Sequence, residues 1–227
     1  MADGTGLARG VGEVDLGDLD STEPVSRHFG GDRGTPVDRY YIESFLQRHA
    51  ADVRGRVLEI GDSFYTVRFG GERVSEAAIL DAPGVHNPRA TLRADLQDGI
   101  GVPSDAFDCI IFTQTLHMIF DVRGTVSTLH RALAPGGVCL ATVPGITQID
   151  AADGPSKWFW PMTQTAARRL FAERFPAEGV TTDVHGNVYA ATAFLQGLAL
   201  EEVDRAKLDI RDELYPVLTG IRAAKGA

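Results

Sequence analysis

Short apolar runs, each closed by a glycine or a polar turn, constrain the fold of this chain most. Residues 56–61 and 107–112 are mainly apolar and too short for core helices, so they predict buried strands. A third such run covers residues 138–143, and weaker strand patterns cover residues 77–81 and 90–94. The chain therefore predicts at least five strands, of which residues 107–112 form a central one.

Segments with helical spacing separate several of these runs. Residues 36–53 place Tyr41 and Phe45 on one stripe, and residues 122–133 repeat apolar side chains at helical intervals before Pro135. Strands that alternate with helices imply right-handed crossovers. The pattern predicts an α/β fold with a mostly parallel, doubly wound sheet and helices on both faces.

Composition and charge exclude several classes of function. The 227 residues include 22 Lys and Arg against 31 Asp and Glu, a formal net charge of −9, and no basic block that could neutralise a row of phosphates. No apolar stretch reaches the roughly 18 residues that span a bilayer, and the first residues lack the layout of a signal peptide. We expect a cytoplasmic protein that binds neither nucleic acid nor membrane.

The first 24 residues differ from the rest of the chain. They hold six acidic residues and a single arginine, with no apolar period. Such a segment cannot bury enough apolar area to offset its ordering entropy, so residues 1–24 predict a mobile acidic tail, or alternatively a lid over the site. Residues 25–227 predict a single domain. Cys109 and Cys139 lie inside apolar runs, which predicts core thiols rather than a metal site or a disulfide.

Acidic and polar residues follow several of the predicted strands. Glu59, Gly61 and Asp62 close the first strand, and Asp81 ends the second, near the offset of about 20 residues at which an acid meets a ribose diol. Asp95 ends the third strand. Each also fits a plain turn or a helix cap. Because ligands bind beyond the carboxyl ends of parallel strands, their order favours an adenosine-type ligand.

Five motifs carry a resemblance to a known family. They are GRVLEIG, ILDAP, RADL, FDCIIFTQTLHMI and LHRALAPGGVCLATVPG, within residues 36–145. The chain resembles a class I S-adenosylmethionine-dependent methyltransferase of the methyltransferase type 11 kind. This resemblance implies a Rossmann-like, seven-stranded, mostly parallel sheet with an antiparallel edge strand, and S-adenosylmethionine as cofactor.

The resemblance also implies which residues hold the cofactor. It assigns Glu59, Gly61 and Asp62 to the methionine end and Asp81 to the ribose. Along the adenine it assigns Asp95 and Leu96, and beside the sulfonium Thr113 and Gln114.

The loop after Gly61 departs from the family pattern. Ser63 and Tyr65 stand where the family usually has two further glycines, and a side chain there narrows the approach of backbone to ligand. Either the loop has a different shape, with Ser63 and Tyr65 at the cofactor, or cofactor binding is weakened or lost. We favour the first account because the acids at the strand ends remain.

We expect the general base and the residues that contact the methyl acceptor near the same edge of the sheet. His117 is the first candidate for the base, because an imidazole titrates near neutrality, although it fits a cap or a stacking role too. His185 is a second candidate. The remaining predicted substrate contacts are one cation and three aromatic side chains, Arg39, Tyr40, Trp158 and Trp160.

The last third of the chain carries a weaker pattern. Residues 163–175 predict an amphipathic helix. Residues 180–191 and 215–222 predict a closing antiparallel pair of strands.

Taken with the resemblance, these features predict a small-molecule methyltransferase that acts on oxygen. The expected acceptor is a hydroxyl or carboxyl of a sugar- or natural-product-type compound, and we expect no metal in the site. A methyltransferase-fold enzyme that catalyses a cyclisation or elimination is the alternative, and a non-catalytic binding subunit is a third reading. No heptad or apolar stripe marks an interface, so the sequence leaves open a monomer or a homodimer.

Overall fold

The computed structural model describes residues 10–152 and 154–226, and it places seven strands and five α-helices in these ranges. In chain order these elements are α1 (Val37–Arg48), β1 (Gly55–Ile60), β2 (Val74–Asp81), β3 (Leu92–Arg93), β4 (Phe107–Thr113), α2 (Val122–Ala132), β5 (Leu133–Pro144), α3 (Gln164–Ala172), β6 (Val180–His185), α4 (Val188–Leu195), α5 (Arg205–Leu208) and β7 (Leu218–Ala224).

The strands form one sheet in the order β3-β2-β1-β4-β5-β7-β6. The first five are parallel, and β7 runs antiparallel to both of its neighbours, β5 and β6. The predicted Rossmann-like, seven-stranded, mostly parallel sheet is thereby confirmed. The antiparallel strand lies one place inside the edge, because β6 covers it.

Alternation of side chains along the strands divides the core into two layers. In β4, Ile110 and Phe112 face the layer that contains α2 and α3, whereas Cys109 and Ile111 face the layer that contains α1 and α4. Both thiols are free and buried, as predicted: Cys109 belongs to the second layer and Cys139 to the first. Helices therefore cover both faces of the sheet.

Two sequence predictions about these elements are wrong. The strand expected over residues 180–191 ends at His185, and α4 begins at Val188. Asn187 explains the change, because its side-chain oxygen accepts a hydrogen bond from Ala190 N and caps the new helix. The closing strand begins at Leu218 rather than at residue 215, after a turn in which Tyr215 N donates to Asp212 O.

The connections among the first strands contain little helix. A π-helical turn (Thr66–Gly70) and a 3-10 turn (Gly71–Arg73) join β1 to β2, and within the described residues neither β2–β3 nor β3–β4 is joined by a helix. Turns and loops therefore make these connections, and the loop from residue 82 to residue 91 bears on the site.

Part of the predicted acidic tail lies outside the described residues, which begin at residue 10. Between residues 10 and 24 the chain forms turns and a short 3-10 helix (Gly17–Leu19), and Val11, Val14 and Leu16 are exposed there. The division into a tail and one domain stays a prediction. In the parts of the chain that the structure describes, none of the helices has the length and apolar character to cross a membrane.

Candidate functional site

A cleft of about 1020 Å³ opens beyond the carboxyl ends of β1 and β4. These two strands are neighbours, and the order of the sheet reverses between them, which is where open α/β sheets bind ligands. Glu59 and Ile60 come from β1, and Thr113 and Gln114 from the end of β4. The first turn of α1 and the loop after β1 form the other walls, with Asp38, Arg39, Asp62, Ser63 and Tyr65.

Glu59 organises the loop that forms one side of this cleft. Its side chain is 3% exposed, and its two carboxylate oxygens accept hydrogen bonds from Tyr65 N (3.1 Å) and Thr66 N (2.7 Å). Burial raises the pKa of the Glu59 carboxyl to about 7, against the opposing effect of these N–H donors. The acid predicted to meet the methionine end is thus also the group that fixes the loop backbone.

The raised pKa of Glu59 predicts a pH-dependent stability. Its ordinary value is 4.5, so between about pH 4.5 and 7 the unfolded chain gives up this proton and the folded protein keeps it. The free energy of unfolding should therefore fall across this window as pH rises, by up to about 3 kcal/mol for this group. Urea unfolding at several pH values measures it.

Glu59→Gln should flatten that part of the stability curve, because the amide does not titrate. The matched control is Glu72→Gln, which changes an exposed glutamate of the same connection. It should leave the wild-type slope in place. Equal slopes for wild type and Glu59→Gln would show that the Glu59 carboxyl titrates normally.

Tyr65, which replaces a family glycine, packs into the core beside the cleft. Its side chain is 7% exposed, and its ring lies 5.9 Å from that of Phe69. Arg39 Nη1 donates a hydrogen bond to its hydroxyl (3.2 Å), and burial raises the pKa of Tyr65 to about 12. The ring therefore forms part of the wall and leaves the cleft open.

The acids predicted for the ribose and the adenine are engaged elsewhere. Asn87 Nδ2 donates to Asp81 Oδ2 (2.6 Å) and to the Gly61 carbonyl (2.7 Å), and so links the ends of β1 and β2. Asp95 Oδ1 accepts from Gln97 N (2.9 Å) within its own turn, and Leu96 is buried in the core. Glu59 lines the large cleft, whereas the predicted cofactor residues Gly61, Asp81, Asp95 and Leu96 are not among its lining residues.

A smaller cavity of about 170 Å³ adjoins the cleft. His117 and Trp158 line it, and their rings are 4.3 Å apart. Phe29 stacks on Trp158 at 6.2 Å and on Phe194 at 5.5 Å, which gives the cavity an aromatic wall. His117 is 3% exposed and lies in a 3-10 turn (Leu116–Met118).

Two residues missed by the sequence analysis, Asp38 and Phe29, line both cavities together with the predicted Gln114. Gln114 Nε2 donates to Asp38 Oδ2 (3.3 Å) across the boundary. Burial raises the pKa of the Asp38 carboxyl above its ordinary value. In the sequence, Asp38 is an acid in the first turn of a helix, a common feature that carries no sign of a site.

Three other predicted substrate contacts lie away from both cavities. The Tyr40 hydroxyl donates to Asp209 (2.5 Å), and Trp160 Nε1 donates to the Phe120 carbonyl (3.1 Å). His185 packs on Tyr41, with 5.3 Å between their rings, and burial lowers the pKa of this histidine to about 4. Arg39 lines the large cleft and Trp158 the small cavity.

Within the described ranges, 10–152 and 154–226, there is no group of three or more His, Cys, Asp or Glu residues that could hold a metal ion.

Several solved structures share this fold at low sequence identity. An S-adenosylmethionine-dependent methyltransferase from Archaeoglobus fulgidus has a TM-score of 0.55 and 12% identity, over 82% of this chain and 94% of its own. One from Mesorhizobium loti has a TM-score of 0.53 and 18% identity, over 83% and 98%. The [4+2]-cyclase SpnF has a TM-score of 0.52 and 15% identity, over 86% and 85%.

A search of curated proteins finds no match to this sequence. A family model described as a methyltransferase domain matches residues 37–196, which is more than half of the chain and contains both cavities' strand-end residues. S-adenosylmethionine is the cofactor of the class I methyltransferases that share this fold. The chain therefore belongs to the methyltransferase domain family, and its fold is that of the class I S-adenosylmethionine-dependent methyltransferases.

Proposed function

We propose that the protein transfers a methyl group from S-adenosylmethionine to an oxygen of a small-molecule acceptor, a hydroxyl or carboxyl of a sugar- or natural-product-type compound. The observation that carries the proposal is the pair of adjoining cavities at the carboxyl edge of the sheet. The larger has space for a nucleotide-sized donor, and the smaller has space for the reacting part of an acceptor.

The chemistry of the large cleft fits the amino-acid end of the cofactor. That end carries an ammonium and a carboxylate, and the same cleft is lined by the Asp62 carboxylate, the Glu59 carboxyl and the Arg39 guanidinium. Gly61 has a φ of +80° and open space where a Cβ would stand, so its backbone is free for close approach. Asn87 holds Asp81 through Oδ2 alone, so the remaining acceptor sites of this carboxylate suit a ribose hydroxyl.

When bound, the cofactor supplies an activated methyl group on a sulfonium, so the protein has three tasks. It must align the acceptor, take up its proton and exclude water. Phe29, Trp158 and Phe194 supply the apolar wall that excludes water. His117 lines the same cavity and remains the candidate base that the sequence predicts.

A second candidate function is a cyclisation or elimination without methyl transfer. The altered glycine loop favours it, because Ser63 and Tyr65 change the side of the cleft that the family keeps bare. The likeness to a [4+2]-cyclase shows that the same fold hosts such chemistry in another protein.

Labelled S-adenosylmethionine separates the two functions. The protein is mixed with methyl-labelled cofactor and with hydroxyl, carboxyl and amine acceptors, and we expect label in a hydroxyl or carboxyl product. Calorimetry with the demethylated cofactor should show binding heat. Binding without any label transfer would support the second function, and no heat with either form of the cofactor would overturn methyl transfer.

A further inference from the structure

The wall shared by the two cavities limits where the reaction can occur. If the donor occupies the cleft and the acceptor the small cavity, the methyl group must cross their boundary. Only Phe29, Asp38 and Gln114 line both cavities among the described residues. Of these three side chains, only the Asp38 carboxylate can take up a proton.

Gln114 and burial prepare Asp38 for this role. The Gln114 amide donates to Asp38 Oδ2 at 3.3 Å, and Gln114 adopts a positive φ of 44° at the end of β4. Burial raises the pKa of the Asp38 carboxyl, although the charge of Arg39 and the backbone N–H donors act in the opposite direction. A carboxylate of raised pKa is a better proton acceptor than an exposed one. His117 lines the small cavity but not the large cleft, so it does not stand at their boundary.

Two polar atoms of the small cavity's side chains indicate the group that binds there. Trp158 Nε1 and Gln114 Oε1 are buried and have no hydrogen-bond partner in the part of the chain that the structure describes. One is a donor and the other an acceptor, and leaving such atoms unpaired is costly. A ligand oxygen would satisfy Trp158 Nε1 by accepting its hydrogen bond, and a hydrogen on the same group can be donated either to Gln114 Oε1 or to the neighbouring Asp38 carboxylate.

A hydroxyl group is such a ligand, since it donates through its hydrogen and accepts through its oxygen. An ammonium group only donates and a carboxylate only accepts, whereas a neutral amine does both and is the rival that probe binding must separate from a hydroxyl. A carboxylate would also meet like charge, because Asp38 and Asp150 both line the small cavity and no Lys or Arg does among the described residues. The like charge therefore favours a hydroxyl acceptor over a carboxylate, a choice that the sequence leaves open.

We propose that the acceptor presents a neutral hydroxyl to Asp38, which removes its proton, while Trp158 Nε1 donates a hydrogen bond to the hydroxyl oxygen. The proposal rests on the proposed methyl transfer and narrows its acceptor to an alcohol or phenol. The hydroxyl proton passes to the Asp38 carboxylate, and an oxygen electron pair forms the bond to the methyl carbon. The carbon–sulfur bond breaks, and its electron pair stays on sulfur, which leaves as a neutral thioether.

Probe binding tests recognition without turnover. The chain has two tryptophans, so Trp160→Phe leaves Trp158 as the only indole. With demethylated cofactor present, its fluorescence is titrated with phenol, benzoate, benzylamine, neutral aniline and toluene, which share a ring and differ in the polar group. We expect phenol to bind most tightly, and Asp38→Asn to weaken phenol at least fivefold with little change for toluene. Equal or tighter binding of benzoate, benzylamine or aniline, or no binding of any probe, would overturn the proposal.

Turnover of phenol and 4-nitrophenol tests the base. Asp38→Asn should lower kcat with phenol by about 100-fold, while affinity for the demethylated cofactor stays within about threefold. The deficit should shrink with the more acidic 4-nitrophenol, which needs less help to lose its proton. The matched control on α1 is Glu43→Gln, whose carboxylate pairs with Arg68 (2.8 Å) and lines neither cavity.

An equal deficit with both phenols would assign Asp38 a structural role and overturn its assignment as the base. Should His117→Asn, rather than Asp38→Asn, cause the acidity-dependent loss, His117 would be the base instead. Absence of methyl transfer and absence of hydroxyl selection give different results. If no acceptor takes the label, methyl transfer fails, and the probe titration still decides whether the small cavity selects a hydroxyl.

Discussion

Gly61→Ala is expected to weaken binding of the demethylated cofactor at least tenfold, about 1.4 kcal/mol, with the fold retained. Gly61 has a φ of +80°, and beyond its chain neighbours no heavy atom lies within 4 Å of where its Cβ would stand. Gly61 itself does not line the large cleft, but its neighbours Ile60 and Asp62 both do. We expect a methyl group between these two residues to hinder the approach of the cofactor to the β1 loop, and titration calorimetry measures the loss.

Gly71→Ala is the matched control for this change. Gly71 also has a positive φ (+54°) and open space around its Cβ position, but it lies beyond the π-helical turn, and neither of its chain neighbours lines the cleft. Alanine at a positive φ costs about 1 kcal/mol of stability at either site. Only Gly61→Ala should change affinity. If both variants bind the demethylated cofactor like wild type, the cofactor does not approach the β1 loop.

Tyr65→Ala is expected to lower the free energy of unfolding by about 3 kcal/mol, as large-to-small changes in a core do. Tyr65 is 7% exposed and packs in the same cluster as Phe69 and Val57. Urea unfolding measures this loss. The bare loop typical of the family should thus be unfavourable here, because this chain uses position 65 for packing.

Tyr65→Phe separates the ring from its hydroxyl. This variant keeps the packing and removes only the hydrogen bond from Arg39, so it should cost about 1 kcal/mol or less. A gain in cofactor affinity for Tyr65→Ala without loss of stability would show instead that the ring obstructs the cleft. That result would favour the account in which cofactor binding is weakened.

The sequence predicted the site residues best at the carboxyl ends of β1 and β4, which lie at one edge of the sheet. Residues 56–61 and 107–112 predicted β1 and β4 closely, and the polar residues that follow them line the cleft. Glu59, Asp62, Thr113 and Gln114 were found in this way. A strand's direction and its pairing fix the positions of such residues with little help from distant parts of the chain.

Prediction was weaker where a side chain had a choice of partners. Asp81 and Asp95 stand at the expected strand ends, but Asn87 and Gln97 engage their carboxylates. The Asn87 contact depends on how the loop between β2 and β3 folds without a helix. Local patterns do not specify such a loop, because no periodicity governs it.

By itself the amino-acid sequence determined the α/β class, the order of the strands and helices as far as β5, and the family. The class and the order follow from local periodicity and from residues at strand ends, which interact mainly with their neighbours along the chain and across one pair of strands. The family follows from the resemblance of five motifs. Only the tertiary structure decided that Asp38 of α1 lies between the two cavities, and that Phe29 and Trp158 stack on each other in the wall of the smaller one. Those contacts join segments far apart in sequence, and the packing of α1 and the loop after β5 onto the sheet brings them together.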